Sequence, residues 1–230
     1  MPVGVIVNNI AVLAGGLLGA LFGTHFPEKL KAALPQIFGL SAIAIGIGLI
    51  MQMKSVPPVV LALIVGTSLG ELLDLESALE RGLYGLQRRF PVRMDEQRAD
   101  VLVSMIVLFC FSSTGILGTM TAAMTGDNTI LFAKSIMDFF TAAIFAASAG
   151  FLVGCVAVPQ LCLGLALFAV SSQLVPLCSA GMLADFKGCG GIITLAVGLK
   201  IAGLGKFRVM NMLPALALVL PLSALWAAAF

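Results

Sequence analysis

The sequence predicts an all-α, polytopic integral membrane protein, a helical bundle of about eight transmembrane spans, with seven as the alternative count. Three observations carry this. Of the 230 residues, 60% are hydrophobic and 10% are charged, whereas a soluble domain carries nearer about a quarter charged. The mean hydropathy is +1.11. The Lys and Arg residues gather in a few short loops instead of spreading over a surface. Such a chain cannot cover itself with polar groups in water, so the lipid bilayer is its expected partner. The net charge of +2 comes with no basic stripe or tail, which leaves nucleic-acid binding without support.

A helix needs about 20 apolar residues to cross a ~30 Å hydrocarbon core. Val3–Thr24 is uncharged and follows Met1–Pro2 with no basic region before it, so it reads as the first span and not as a cleaved signal peptide. Ala32–Met53, Val101–Gly126 and Val209–Phe230 are further uncharged runs, and Ser55–Gly70 is a slightly short one ending at Glu71. Phe139–Ala184 is too long for one span and divides near Gly154–Pro159; its first part joins the segment that starts near Asn128. Gly188–Leu204 is short, Gly-rich and contains Lys200. The expected spans are 3–23, 35–53, 57–75, 99–121, 128–151, 157–177, 187–204 and 209–229.

Orientation follows from the basic loops. Lys29 and Lys31 follow span one, Arg81, Arg88, Arg89, Arg93 and Arg98 follow span three, and Lys206 and Arg208 follow span seven. Eight spans place all three loops on one side, the cytoplasm, and both termini outside. Leading into and along 76–98, the residues Leu75, Leu79, Leu83, Leu86 and Phe90 form one apolar stripe. They predict an Arg-rich amphipathic cytoplasmic helix on the membrane, with a regulatory or partner-binding helix as the alternative.

The chain reads as a single transmembrane domain, 1–230, with an internal repeat. Ser41–Leu49 (SAIAIGIGL) lines up with Gly191–Leu199 (GIITLAVGL), and a Pro-started helix follows each, at Pro58 and Pro214. The repeat halves are 1–75 and 157–230, around central spans 99–151. Five spans separate the partners, so the copies insert in opposite orientations, as in secondary transporters. Chance similarity between low-diversity apolar segments is the competing explanation.

Charges inside a span need a reason, because each costs about 2.5–3.5 kcal/mol at the bilayer centre on insertion scales. Asp127, Lys134 and Asp138 lie at i, i+7 and i+11, within about 40° on one helix face, with Asp138 ~16 Å below Asp127. Lys134 and Asp138 are spaced to pair. Asp127 after Gly126 also fits a helix N-cap. Ser112, Ser113 and Thr114 add hydroxyls that suit ligand coordination or close packing. Asn8 in span one and Asn211 entering span eight are polar residues in apolar settings, and Glu71 and Lys200 sit toward the cytoplasmic ends. These ten residues form the expected substrate or ion pathway. A static ion pair locking span five in place is the structural alternative.

Catalytic or cofactor-binding constellations are not evident, and the protein is not expected to be an enzyme. His25 lies alone in a loop, and the glycines form no P-loop. The five cysteines show no C-x-x-C spacing, and most lie in apolar runs, where Cys packs as a small hydrophobe. A Cys178–Cys189 bridge would need an oxidising compartment, and free thiols are the expectation. Cys110, Met120 and Met124 are read as packing residues and not as metal ligands.

Leu108–Met120 (LFCFSSTGILGTM), Met124–Asp127 (MTGD) and Ala133–Ala142 (AKSIMDFFTA) resemble the YqgA/YdfK-like family of bacterial membrane proteins, the domain of unknown function DUF554. Ile37–Leu40, Gly66–Glu71, Met182–Phe186, Gly190–Gly191 and Met210–Ala215 match in the same order along the whole chain. The resemblance implies a multi-pass protein of the bacterial inner membrane, often guessed to be a transporter, and its motif includes Asp127, Lys134 and Asp138. The leading functional expectation is a small secondary transporter of an ion or small polar solute. A channel and a non-transporting scaffold or assembly factor are the alternatives. Bundles of this size often enclose a pathway only by pairing, so a homodimer is expected.

Overall fold

The computed structural model describes residues 1–22, 27–79, 81–82, 105–106 and 108–229. The expected amphipathic segment 76–98 lies outside the described residues from 83 onward, as does His25. The helices are α1 (Val3–Phe22), α2 (Glu28–Ile50), α3 (Val56–Leu73), α4 (Ser113–Thr125), α5 (Thr129–Ala149), α6 (Leu152–Cys155), α7 (Ala157–Leu174), α8 (Ala180–Ile201), α9 (Val209–Met212) and α10 (Pro214–Ala229). Among the described residues, eight segments are long and apolar enough to cross a membrane. Two of these join a short helix to the next one, Leu152–Leu174 from α6 and α7, and Val209–Ala229 from α9 and α10. Ile10, Leu17 and Leu21 of α1, Leu61 and Ile64 of α3 and Ile136 of α5 are exposed, while Asn8, Lys134, Asp138, Gln160, Asp185 and Asn211 are buried. Large apolar side chains face outward along these helices, and Lys134, Asp138 and Asp185 are turned inward, as lipid solvent requires.

Two spans differ from expectation. The fourth runs on to Thr125 instead of ending at 121, and of its expected first part residues 99–104 and 107 lie outside the described residues. The Ser112 hydroxyl caps α4 by accepting from Gly115 N–H at 3.4 Å. The helix then runs on past its threonines to Thr125, whose hydroxyl bonds back to the Thr121 carbonyl at 2.8 Å. It stops at Gly126, whose φ of 77° suits glycine. The seventh begins at Ala180 and not at 187. Asp185 and Lys187 fall inside this helix, Asp185 with its carboxylate hydrogen-bonded, and the Ser179 hydroxyl caps its first turn by accepting from Met182 N–H at 3.3 Å.

By contact density the described residues form two compact units. The first comprises Met1–Pro35 and Leu79–Ser171. In it α1 turns Gly4, Asn8, Val12, Gly15, Gly16 and Gly19 inward, at the 3–4-residue spacing of one helix face. Gly15 rests on the Phe139 carbonyl and Gly19 on the Ala143 carbonyl, so close that a Cβ would overlap the backbone of α5. The paired positions rise together along both helices, so α1 and α5 run parallel. Val12, Phe109, Ala142, Ala146, Val153 and Val156 fill the apolar core beside them.

The second unit comprises Gln36–Ala78 and Ser172–Phe230. Here Gly39 meets Gly198 and Gly46 meets Gly191, with a Cβ on Gly46 falling 2.8 Å from the Gly191 carbonyl oxygen. One number falls as the other rises, so α2 and α8 are antiparallel. The same holds for α3, whose Gly66 and Gly70 lie against Ala215 and Asn211. The two segments read as repeat copies therefore pack against each other within this unit. Asp185 organises one end of it. Its Oδ1 accepts from Lys54 N–H at 3.0 Å and Ser55 N–H at 2.7 Å, and its Oδ2 accepts from the Ser223 hydroxyl at 2.6 Å. A carboxylate of α8 thus caps the start of α3, where the Ser55 side chain makes no cap bond of its own.

Candidate functional site

The first unit brings Asn8, Lys134 and Asp138 together. Lys134 and Asp138, one turn apart on α5, form an ion pair with side chains 5% and 12% exposed. Both charges are needed there, because either one alone would be stranded in a dry interior. Asn8 Nδ2 on α1 donates to the same Asp138 Oδ2 at 2.8 Å. Gln160 Nε2 on α7 in turn donates to Asn8 Oδ1 at 2.7 Å. A chain of buried polar groups therefore crosses three helices, Lys134–Asp138–Asn8–Gln160. It ends on Gln160 Oε1, which is buried and finds no partner among the described residues.

Local sequence explains this placement. Gly115 leaves room for the lysine arm, since a Cβ there would come within 2.9 Å of Lys134 Cε. Asn9 Nδ2 donates to the Ala157 carbonyl, and Gly4 N–H donates to Asn128 Oδ1 at 3.0 Å. These bonds fix α1 against the starts of α7 and α5. A cavity of about 210 Å³ opens beside the network, lined by Asn8, Gln160, Thr119, Phe109, Phe111 and Cys110 among others. Its wall is chiefly apolar and aromatic, with a few convergent polar atoms, which is the usual make-up of a small-ligand site.

The other expected residues are placed as follows. Asp127 stands in the turn before α5, where its Oδ1 accepts from Thr129 N–H at 3.0 Å. It serves the start of the helix, with Asn128 in the N-cap position. Ser112 caps α4, Thr114 is buried, and the Ser113 side chain lies outside the described residues. Glu71, Lys200 and Asn211 belong to the second unit. Arg208 bonds to Glu71 at 3.0 Å and also to Asp74. The hydrogen bond to Asp74 is the main cause holding the guanidinium above its ordinary pKa, and Glu71 adds to it. Lys200 bonds to Glu76 at 3.3 Å. Asn211 Oδ1 accepts from Glu76 N–H at 2.9 Å, which fastens the helical turn after α3 to α9. Sequence reasoning missed Gln160 and Asp185. Gln160 is a strongly polar residue in an otherwise apolar stretch, and that isolation was the available signal, whereas Asp185 has Lys187 two residues on.

A family model for proteins of unknown function, DUF554, matches residues 3–224. The chain belongs to the DUF554 family. This DUF554 chain is 43% identical over 236 aligned residues to the uncharacterized protein YqgA of Escherichia coli (strain K12), covering 100% of both proteins. It is 28% identical over 217 residues to the uncharacterized membrane protein YdfK of Bacillus subtilis (strain 168), covering 93% of this chain and 92% of that protein. No solved structure matches it.

Proposed function

We propose that this DUF554 protein is a secondary transporter of an ion or small polar solute in the bacterial inner membrane. The observation that carries the proposal is the buried Lys134–Asp138 pair, connected through Asn8 and Gln160 to a cavity. A pair that served only to lock two helices would not need a polar chain leading away from it to an unsatisfied acceptor. Buried ionisable residues of this kind mark substrate and proton pathways in membrane proteins. The basic loops support cytoplasmic placement of the turns after spans one, three and seven, with both termini outside.

The test uses the full chain reconstituted in liposomes on a solid-supported membrane. Rapid addition of inorganic cations, inorganic anions, small amines and small organic acids is expected to give a transient current for one class. Asp138→Asn and Lys134→Ala should abolish that current while the protein remains monodisperse. Undiminished current in both variants would overturn the assignment. Unitary currents at rates far above carrier turnover would instead identify a channel.

A further inference from the structure

The cavity of about 210 Å³ in the first unit has a wall without formal charge. None of its lining residues is Asp, Glu, Lys, Arg or His, and the nearby Lys134 and Asp138 are spent on each other. Its side-chain oxygens belong to Asn8, Gln160 and Thr119. Asn8 uses both ends of its amide inside the network, and Gln160 Oε1 is sealed off. Thr119 differs. It is 5% exposed, and its hydroxyl makes no hydrogen bond among the described residues. The oxygen keeps accessible surface, unlike that of Thr121 two positions on. Gly115 and Ile116, one turn earlier on α4, line the same cavity, which puts Thr119 on the helix face that borders it. The main chain adds to this. Inside the fourth membrane-crossing segment, helical residues 108–110 end before Phe111, and Ser112 is extended, with ψ of 125°, before α4 opens. At membrane depth a chain leaves the helix only where protein or a cavity covers its polar groups. Phe109, Cys110 and Phe111 at this interruption all line the cavity.

We propose that this cavity binds an uncharged monocyclic compound carrying one hydroxyl, of the phenol class, packed against Phe109 and Phe111 and hydrogen-bonded to Thr119. The inference goes beyond the transport reading and does not depend on it. Charge decides the class first. A charged ligand would leave water and meet no counter-charge in the wall, a loss that apolar contact does not offset. Size comes next. An engineered apolar cavity of about 150 Å³ holds benzene, so about 210 Å³ accommodates one ring with a substituent. The two phenylalanines favour an aromatic ring, through offset or edge-to-face contact. A hydroxyl both donates and accepts, so a ligand hydroxyl pairs with that of Thr119 in either sense.

Titration calorimetry of the full chain in nanodiscs, with empty nanodiscs as the lipid control, reads the binding. Phenol should give a saturable heat with one site per chain. Toluene, the same ring without the hydroxyl, should bind about two- to tenfold more weakly, the worth of one neutral hydrogen bond. Benzoate and benzylammonium, which carry a charge on the same ring, should give no saturable heat. Thr119→Val keeps the side-chain shape and removes the hydroxyl, so it should bring phenol down to the affinity of toluene and leave toluene unchanged. Ile116→Trp should close the cavity to both. Phenol heats no different from those of empty nanodiscs, or charged rings that bind as well as phenol, overturn the site, and neither outcome needs a variant to fold. Toluene that binds as tightly as phenol overturns the hydrogen bond to Thr119 and with it the proposed class. A solute-induced current without phenol binding overturns the site and leaves transport standing. Phenol binding as described, without a current for any solute, overturns transport and leaves the site standing.

Discussion

Asn8 of α1 donates to Asp138 of α5 at 2.8 Å, on the same carboxylate oxygen that receives the Lys134 ammonium. Two donors on one buried oxygen make Asp138 the hub of the first unit. Removing the ammonium leaves the carboxylate with neutral donors only. Lys134→Met should therefore lower stability by about 3–5 kcal/mol, the usual penalty for stranding one member of a buried pair. Adding Asp138→Leu to that variant should recover much of the loss, since an apolar pair of similar volume needs no compensation. Unfolding in mixed micelles across the double-mutant cycle measures this. A double variant no more stable than Lys134→Met alone would show that the Asn8 bond outweighs the charge.

Asp185 is the corresponding hub of the second unit, although it pairs with no cation in the contacts described. It accepts from two backbone N–H groups and one hydroxyl. Asp185→Ala leaves those donors buried or poorly served, at about 1–3 kcal/mol for each one stranded. Asp185→Asn should be much milder. Its carbonyl still accepts from Lys54 and Ser55, and its NH₂ can donate to the Ser223 oxygen. Comparing the thermal midpoints of the two variants decides the point, and equal losses would mean that the negative charge itself carries the cap.

The eight spans were legible in the sequence because lipid solvent imposes one length and one composition on each of them. The Lys134–Asp138 pair was legible because two opposite charges four apart inside an apolar run have few other uses. Gln160 was not, since a lone amide in a membrane helix gives no indication of which neighbour it meets. The distance in sequence from Gln160 to Asn8 is bridged only by the packing of α7 against α1. Asp185 was not singled out either. Its three donors come from α10 and from the turn before α3, and nothing near it in sequence announces them. Asp127 illustrates the opposite case, a residue on the correct helical face whose carboxylate is used at the turn before α5.

The parallel contact of α1 with α5 depends on the absence of side chains at Gly15 and Gly19. A Cβ at either position would strike a backbone carbonyl of α5, which cannot swing aside as a side-chain tip can. Gly15→Ala and Gly19→Ala should each destabilise by at least the ~1–3 kcal/mol of an overpacked core. They should also weaken the Asn8–Asp138 bond by pushing the helices apart. Gly48 is the matched control, since a Cβ there meets nothing within 4 Å. Gly48→Ala should be neutral or stabilising, because alanine is the better helix former by about 1 kcal/mol. Thermal midpoints in detergent give the ranking, and a Gly48 variant as unstable as the Gly19 variant would contradict the packing.

Cys178 tests the proposed orientation. It lies in the turn between the sixth and seventh membrane-crossing segments, before the Ser179 cap of α8. With both termini outside, that turn faces outward. A membrane-impermeant maleimide should label Cys178 in right-side-out vesicles and not in inverted ones, measured by mass shift on the variant in which Cys110, Cys155, Cys162 and Cys189 are serine or alanine. Burial raises the Cys178 thiol above its ordinary pKa. Less of it is thiolate at neutral pH than in a free thiol, and the thiolate is the reacting form. Labelling should therefore be slower than that of a small-molecule thiol at neutral pH and should continue to accelerate at pH values where the small thiol has levelled off. Labelling confined to inverted vesicles would reverse the proposed topology, whatever its pH dependence.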